Sequence, residues 1–552
     1  MRLADPETTR PTLGGARHAI AAGHPAATMA GLRILEAGGN AVDAAVAAGF
    51  ALHVVQCDMA NLGGVAPILA HDGATGQVTS YAGIGTWPRA VTLEALRDAG
   101  QGRIPVSPKR WVVPAAVDAW FTLLGRQGTM RVADVLQDAI ALARDGFPSN
   151  YFIRNNLAQL AASIPPDADN HAIFRPGGRV PPEGTLIRQP ALADTLQLLA
   201  DAERAGGGTR AEGIRRARDA FYKGEIARRI DAFSRQVGAF IRYEDMAGYE
   251  VEVAPALSVR LDGAEIFGCG PWCQGPTLLQ VAAMMNTLGP MAGLDRARHL
   301  IECVRAALQD RNRHYGDPRH VEVPIARLLS EDHARGLLRQ AGLPEQGARP
   351  DPDRIHALTP DTTYVCTVDR WGNAVSATPS DSTIIFTPMV PGLGFGVSDR
   401  GHQASLDPAD PNCVAPGKRP RMTPNPSLLR GKDFLLAFGT PGAEVQVQAM
   451  AQFLWSHLRD GLPLQAAIEA PRWATYDVAT TEDPHTRQPG LVCIESRAAA
   501  EIRTGLGEHG YKVAEWPAYA ALAGALCAVR REANGRVSAG ADPRRLAYAA
   551  AG

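Results

Sequence analysis

No long apolar run, no excess of either charge and few cysteines: each shortage in this chain excludes something. The longest apolar stretch, residues 44–55, is too short to span a bilayer, and Asp43 and His53 border or interrupt it. The opening MRLADPETTRPTLGG has no apolar core that could act as a secretory signal. The net charge is −1 and the pI is near 6.9, so no basic surface is set aside for nucleic acid or an anionic membrane. Eight cysteines scattered over 552 residues are too sparse for a disulfide scaffold and fit a reducing compartment. These shortages together predict a cytoplasmic protein. Common catalytic signatures are missing too: there is no H-E-x-x-H, no Walker A loop and no G-x-S-x-G elbow. Cys269 and Cys273 have no second Cys/His pair near them, which favours a buried structural pair over a metal site. Gly392, Gly394 and Gly396 precede no periodic helix and read as a turn rather than a dinucleotide loop.

What is present is ordinary globular material, 45% hydrophobic and 20% charged. The length admits two to four domains or one large α/β unit. Residues 28–55 read as a helical pair broken at Gly38-Gly39, with Asn40 able to cap a second helix that is apolar almost all round and therefore buried. VAPILAHD and QVTSYAG, joined by a GATG turn, predict a β-hairpin. Residues 195–247 are mostly helical, and strands return at YEVEVAP and VRLDGAEIFGCG. Residues 340–361, rich in proline, glycine and charge, read as a linker. The next stretch, TTYVCTVDRWGNAVSATPS, predicts a second hairpin. No internal repeat is visible. Long helices mixed with non-adjacent strands predict helices layered over antiparallel sheets.

Two features suggest chemistry. Thr362-Thr363 opens a strand directly after the linker, although threonine is common in strands anyway. FLLAFGTPGAEVQVQAMAQFL reads strand, tight turn, helix. Backbone N–H groups at such a turn lack helical partners and can face a developing oxyanion. An ordinary strand–helix junction also favours glycine, so neither feature is decisive alone.

In combination they become specific. GLRILEAGGNAVDAAVAAGFALHVV, NLGGVAPILAHD, FYKGEIARRI, HLIECVRAALQDRNRHYGDP, DTTYVCTVDRWGNAVSATPSDS, PGKRPRMTPNPSLL, GTPGAEVQVQAM and GADPRR occur in order along the chain. This series resembles the γ-glutamyltransferase family of N-terminal nucleophile hydrolases from end to end. The resemblance implies an α+β fold, a four-layer αββα sandwich. It implies autocatalytic cleavage between Asp361 and Thr362, giving a large subunit, 1–361, and a small subunit, 362–552. Thr362 then becomes the nucleophile. Its new α-amino group, with a pKa of about 7.7–8, serves as its base. By position Gly442 and Ala443 match the oxyanion-hole residues, and Ser380 matches the hydroxyl that hydrogen-bonds the nucleophile. Thr363 and Ser382 join the expected substrate-binding set. No cofactor and no metal are needed.

The substrate-reading positions depart from the family pattern. Ile84 falls where an arginine binds the α-carboxylate of a γ-glutamyl group, and an apolar side chain cannot replace a bidentate guanidinium. His402 falls where an aspartate binds the amino group, and Met422 and Thr423 replace two serines. Arg89 and Asp399 are candidate replacements. Glu444 reads as complementing a helix dipole, and Gln446 as a weaker candidate contact. The changes resemble a divergent branch that includes oxamate amidohydrolase and some cephalosporin acylases. The expected activity is hydrolysis of a small, non-glutamyl amide. One alternative is a γ-glutamyl hydrolase or transpeptidase whose recognition rests on Arg89, Arg400 and Asp399. A second is an uncleaved, non-catalytic binding relative. The expected partners are a small-molecule amide and the two subunits of the cleaved chain, with pairing of two heterodimers open. No nucleic acid or membrane is expected.

Overall fold

The computed structural model describes residues 8–160, 164–340 and 362–552. The expected linker and Asp361 therefore lie outside the described residues, apart from Gln340.

Two seven-stranded sheets form the centre. In the first, the spatial order is Leu13–Gly15, Val537–Ala541, Cys527–Glu532, Phe434–Gly439, Ser427–Arg430, Ala264–Gly268 and Leu257–Leu261. In the second it is Tyr548–Ala551, Ala19–Ala22, Val365–Val368, Ala374–Ala377, Ile68–His71, Val78–Ala82 and Glu252–Pro255. Every pairing within these sheets is antiparallel. The sheets pack face to face, with Ala374–Ala377 against Phe434–Gly439 and Val365–Val368 against Cys527–Glu532. Helices Pro25–Glu36 and Ala41–Val55 cover the outer face of the second sheet. Helices Gly275–Met285 and Gly293–His314 lie outside the first. The expected αββα sandwich is the architecture observed.

Local sequence explains the elements nearest the centre. All fifteen residues of Ala41–Val55 are buried, as an all-round apolar helix requires. Asn40 caps it by accepting from the Val42 and Asp43 N–H groups, while Asp43 accepts from the Asn40 N–H in a reciprocal box. Both predicted hairpins form, Ile68–His71 with Val78–Ala82 and Val365–Val368 with Ala374–Ala377. The central position of Val365–Val368 fixes the start of the candidate site, because Thr362 lies just before it. Gly392–Gly396 is a turn, with positive φ at Gly392 and Gly394. Among the described residues no helix is long and apolar enough to cross a membrane.

Candidate active site

The chain entering Val365–Val368 is clamped on both sides. The Thr363 N–H donates to the Pro379 carbonyl at 3.0 Å, and the Gly23 N–H donates to the Tyr364 carbonyl at 2.9 Å. The Thr363 hydroxyl donates to Gln56 Oε1 at 2.5 Å, and Gln56 Nε2 donates to the Gly23 carbonyl at 3.1 Å. A Cβ on Gly23 would lie 2.1 Å from Thr363 Oγ1, so only glycine allows this approach. The Thr363 hydroxyl is thus tied to Gln56, at the end of the buried helix.

Thr362 is fully buried, and its Oγ1 lies 2.7 Å from Ser380 Oγ. Ser380 is carried by a β-bridge with Val65, its N–H donating to the Val65 carbonyl at 2.9 Å. Arg400, itself fully buried, donates from Nη2 to Ser380 Oγ. Arg400 thus holds the Ser380 oxygen that faces Thr362 Oγ1. The sequence pattern supplied Ser380. Arg400 had entered only through the γ-glutamyl alternative, and its bond to Ser380 depends on a close approach between two loops.

Carboxylates surround this trio. Asp381 accepts from Ser398 Oγ at 2.6 Å and from the Thr383 N–H at 2.9 Å. Burial and the neighbouring Asp399 push the Asp381 carboxyl up to about 7, against the pull of Arg400. Asp399 forms an ion pair with Arg110, and both are buried. Burial would raise Asp399, but the charges of Arg110, His402 and Arg400 outweigh it and hold the group below its ordinary range. His402 Nδ1 lies 2.8 Å from the Asp399 carbonyl oxygen, and Nε2 lies 3.7 Å from Glu482. Burial lowers the imidazole pKa, but Glu482 and Asp399 outweigh it and leave it raised. Asp399 therefore meets Arg110 and His402 as partners. Arg110 was not legible as a site residue, since 289 positions separate it from Asp399.

The turn after Phe434–Gly439 has the backbone that an oxyanion pocket requires. Gly442 has φ 127° and Ala443 has φ 48°, both in the left-handed half of conformational space. Successive residues of this kind turn N–H groups toward one side. Among the described residues, neither N–H of this pair donates to a protein acceptor. The turn sits near the nucleophile strand because Gly439 packs flat on the Tyr364 ring, where a Cβ would lie 2.3 Å from Tyr364 Cε2. Gln274 Nε2 donates to the carbonyls of Ala443 at 3.0 Å and Thr423 at 2.8 Å, tying turn to site wall. Thr423 is also gripped by Gln403, which accepts from its N–H and donates to its hydroxyl. Glu444 does more than complement a helix dipole: it accepts from Arg311 at 2.9 Å and from the Thr481 N–H at 2.7 Å. Gln446 is buried and accepts from the Asn425 N–H at 2.9 Å, a structural tie. Ser382 is buried at the start of the short helix Thr383–Phe386.

Arg89 does not join this group. It is exposed and lines a surface cleft of about 350 Å³ with Ile84, Tyr249 and Arg319. Its backbone N–H donates to Asp245. Ile84 is buried, and its carbonyl accepts from Tyr249. Cys269 and Cys273 are both buried, and among the described residues no cluster of three or more candidate ligands could hold a metal ion.

Residues 27–552 match the family described as Gamma-glutamyltranspeptidase. The chain is 30% identical to the Glutathione hydrolase-like YwrD proenzyme of Bacillus subtilis, over 96% of this chain and 97% of that one. It superposes on the solved structure of LmbA2991HD with a TM-score of 0.89, at 32% identity and over 98% and 99% of the two chains. It superposes on the cephalosporin acylase from Bacillus halodurans with a TM-score of 0.85, at 27% identity and over 100% and 99%.

Proposed function

The chain belongs to the gamma-glutamyltranspeptidase family, and on that premise we propose that it is an autoprocessing N-terminal-threonine amidohydrolase acting on a small, non-glutamyl amide. The observation that carries this reading is the 2.7 Å contact between Thr362 Oγ1 and Ser380 Oγ, backed by the Arg400 guanidinium. Cleavage between Asp361 and Thr362 yields chains of 361 and 191 residues. It also frees an α-amino group whose pKa of about 7.7–8 suits a general base. That amine takes the Thr362 proton as Oγ1 attacks the amide carbonyl. The N–H groups of Gly442 and Ala443 receive the oxyanion. The leaving amine departs with the proton, and water then resolves the Thr362 ester to release the acid.

The non-glutamyl assignment rests on Ile84 and Met422. Neither can hold an α-carboxylate. The two subunits stay together after cleavage because their strands alternate. Val365–Val368 and Tyr548–Ala551, from the small subunit, bracket Ala19–Ala22 from the large one with backbone hydrogen bonds. We place the protein in the cytoplasm, on its charge balance and scattered cysteines.

Intact-mass analysis of wild type and Thr362→Ala tests the core of the reading. Wild type breaks between Asp361 and Thr362, and the variant stays whole. A wild-type chain that stays whole favours a binding protein. Robust turnover of a γ-glutamyl anilide would instead overturn the substrate assignment.

A further inference from the structure

Glu444, Gln448 and Gln452 recur every four positions, so they fall on one face of the helix Val445–Leu454 and of the residue that caps it. That face lies along residues 473–481. Gln452 donates to the Trp473 carbonyl at 2.9 Å and accepts from the Trp473 N–H at 3.1 Å. Gln448 repeats the pattern on Thr475, donating at 3.0 Å and accepting at 2.8 Å. Glu444 accepts from the Thr481 N–H at 2.7 Å and from Arg311 at 2.9 Å. Helix and extended chain are thereby tied at three levels, like the rungs of a ladder. One end of this ladder adjoins the Gly442–Ala443 turn.

The other end opens on a cavity of about 280 Å³ that shares no lining residue with the candidate active site. There the helix widens into a π-helical turn, Trp455–Arg459, with the Asp460 N–H donating to the Trp455 carbonyl at 3.1 Å. Leu300, Trp455, Trp473, Ile494 and Ile502 form apolar walls. The charged groups on the wall are matched: Arg296 pairs with Asp460, and Arg472 with Asp542 at 2.8 Å. An ion entering the cavity would have to break one of these pairs, so an uncharged ligand is the better fit. Trp455 and Trp473 are buried, and among the described residues neither indole N–H meets a protein acceptor. A buried indole N–H gains from a partner, and a ligand with an acceptor oxygen supplies one. An apolar cavity of about 150 Å³ holds benzene, so this one has room for a ring and a short substituent.

We propose that this cavity binds a small uncharged aromatic molecule carrying one hydrogen-bond acceptor, such as an aryl ketone, and that its occupancy is relayed along the ladder to the Gly442–Ala443 turn. The ring lies against the apolar walls and the acceptor takes the N–H of Trp455 or Trp473. Filling the cavity removes the space into which the Gln452–Trp473 rung opens. The rungs share one helix, so they open as a unit. That the turn receives an oxyanion belongs to the proposed function; the binding and the relay stand without it.

Purified wild type is titrated calorimetrically with acetophenone, toluene and benzoate, which needs no turnover. Acetophenone is expected to bind about tenfold more tightly than toluene, the worth of one hydrogen bond, and more tightly than benzoate. Trp455→Phe and Trp473→Phe each keep a ring in place and remove one N–H. At least one of them lowers acetophenone affinity about tenfold and leaves toluene affinity unchanged. No acetophenone binding, equal affinity for the three probes, or unchanged acetophenone affinity in both variants overturns the site. Hydrogen exchange of wild type, read by mass spectrometry over 473–475 and over 479–482, tests the relay. With acetophenone at about 100 times its Kd, both stretches are expected to slow by similar factors, at most about 100-fold. Slowing confined to 473–475, or no slowing, overturns the relay. If neither variant folds, the probe ranking and the exchange pattern of wild type decide alone.

Discussion

Two buried arginine clusters in this molecule are wired in opposite ways. Near the chain's end, Arg544 makes a two-pronged pair with Glu495, at 2.7 Å to each oxygen. It also reaches Asp542 and the carbonyls of Ile468 and Ala470. Arg472 donates to Asp542 at 2.8 Å and to the carbonyls of Ile468 and Ala523. Every charge there is met by opposite charge or by backbone, and the result is a brace between the small parallel strand pair and the end of the chain. Around Thr362 the carboxylates are shared or pushed toward neutrality, and the Arg400 guanidinium is turned to the Ser380 hydroxyl. A saturated cluster holds structure.

This contrast can be broken or sharpened by substitution. The largest effect belongs to the saturated cluster. Arg544→Ala removes the two-pronged partner of Glu495 and one of the two guanidinium partners of Asp542, and is expected to destabilise the protein by about 3–5 kcal/mol, read as a fall in denaturant midpoint. If Arg400→Gln destabilises as much, the two clusters do not differ in kind. Ser380→Ala comes next. It leaves the fold intact and slows turnover about 100-fold, or about 2.7 kcal/mol of barrier. A kcat unchanged from wild type would remove Ser380 from the mechanism.

The smallest effect is a pH dependence. Asp381 is held near 7 in the folded protein against an ordinary value of 3.8. Between those values the folded state binds the extra proton, so this group's contribution to stability falls as pH rises from about 4 to 7. Asp381→Asn abolishes that contribution and should flatten the decline in melting temperature between pH 5 and pH 8. An unchanged slope would show that the carboxyl titrates normally.

Much of the core was readable from local pattern. The apolar period of Ala41–Val55, its Asn40 cap and both hairpins follow from short-range chemistry, and each formed as expected. The pairing of Thr362 with Ser380 was expected from the family resemblance, and their hydroxyls lie 2.7 Å apart. The bond from Thr363 to Gln56 was not legible, because 307 positions separate the two. Glu444 was misread for the same reason, its partner Arg311 being 133 positions distant. Arg89, five positions from Ile84, lines the same surface cleft as that residue. The GADPRR motif carried no visible role, yet its Asp542 and Arg544 complete the brace.

The sequence by itself determined the layered architecture and the place of Thr362 just before a central strand. Periodicity, turn chemistry and residue type act over a few positions, so they survive in a linear reading. Only the tertiary structure decided which charges neutralise one another. Ion pairing depends on distances of a few ångströms in a medium of low polarity, and those distances are set by the packing of two sheets. That packing gave Asp399 to Arg110 and turned Arg400 toward Ser380.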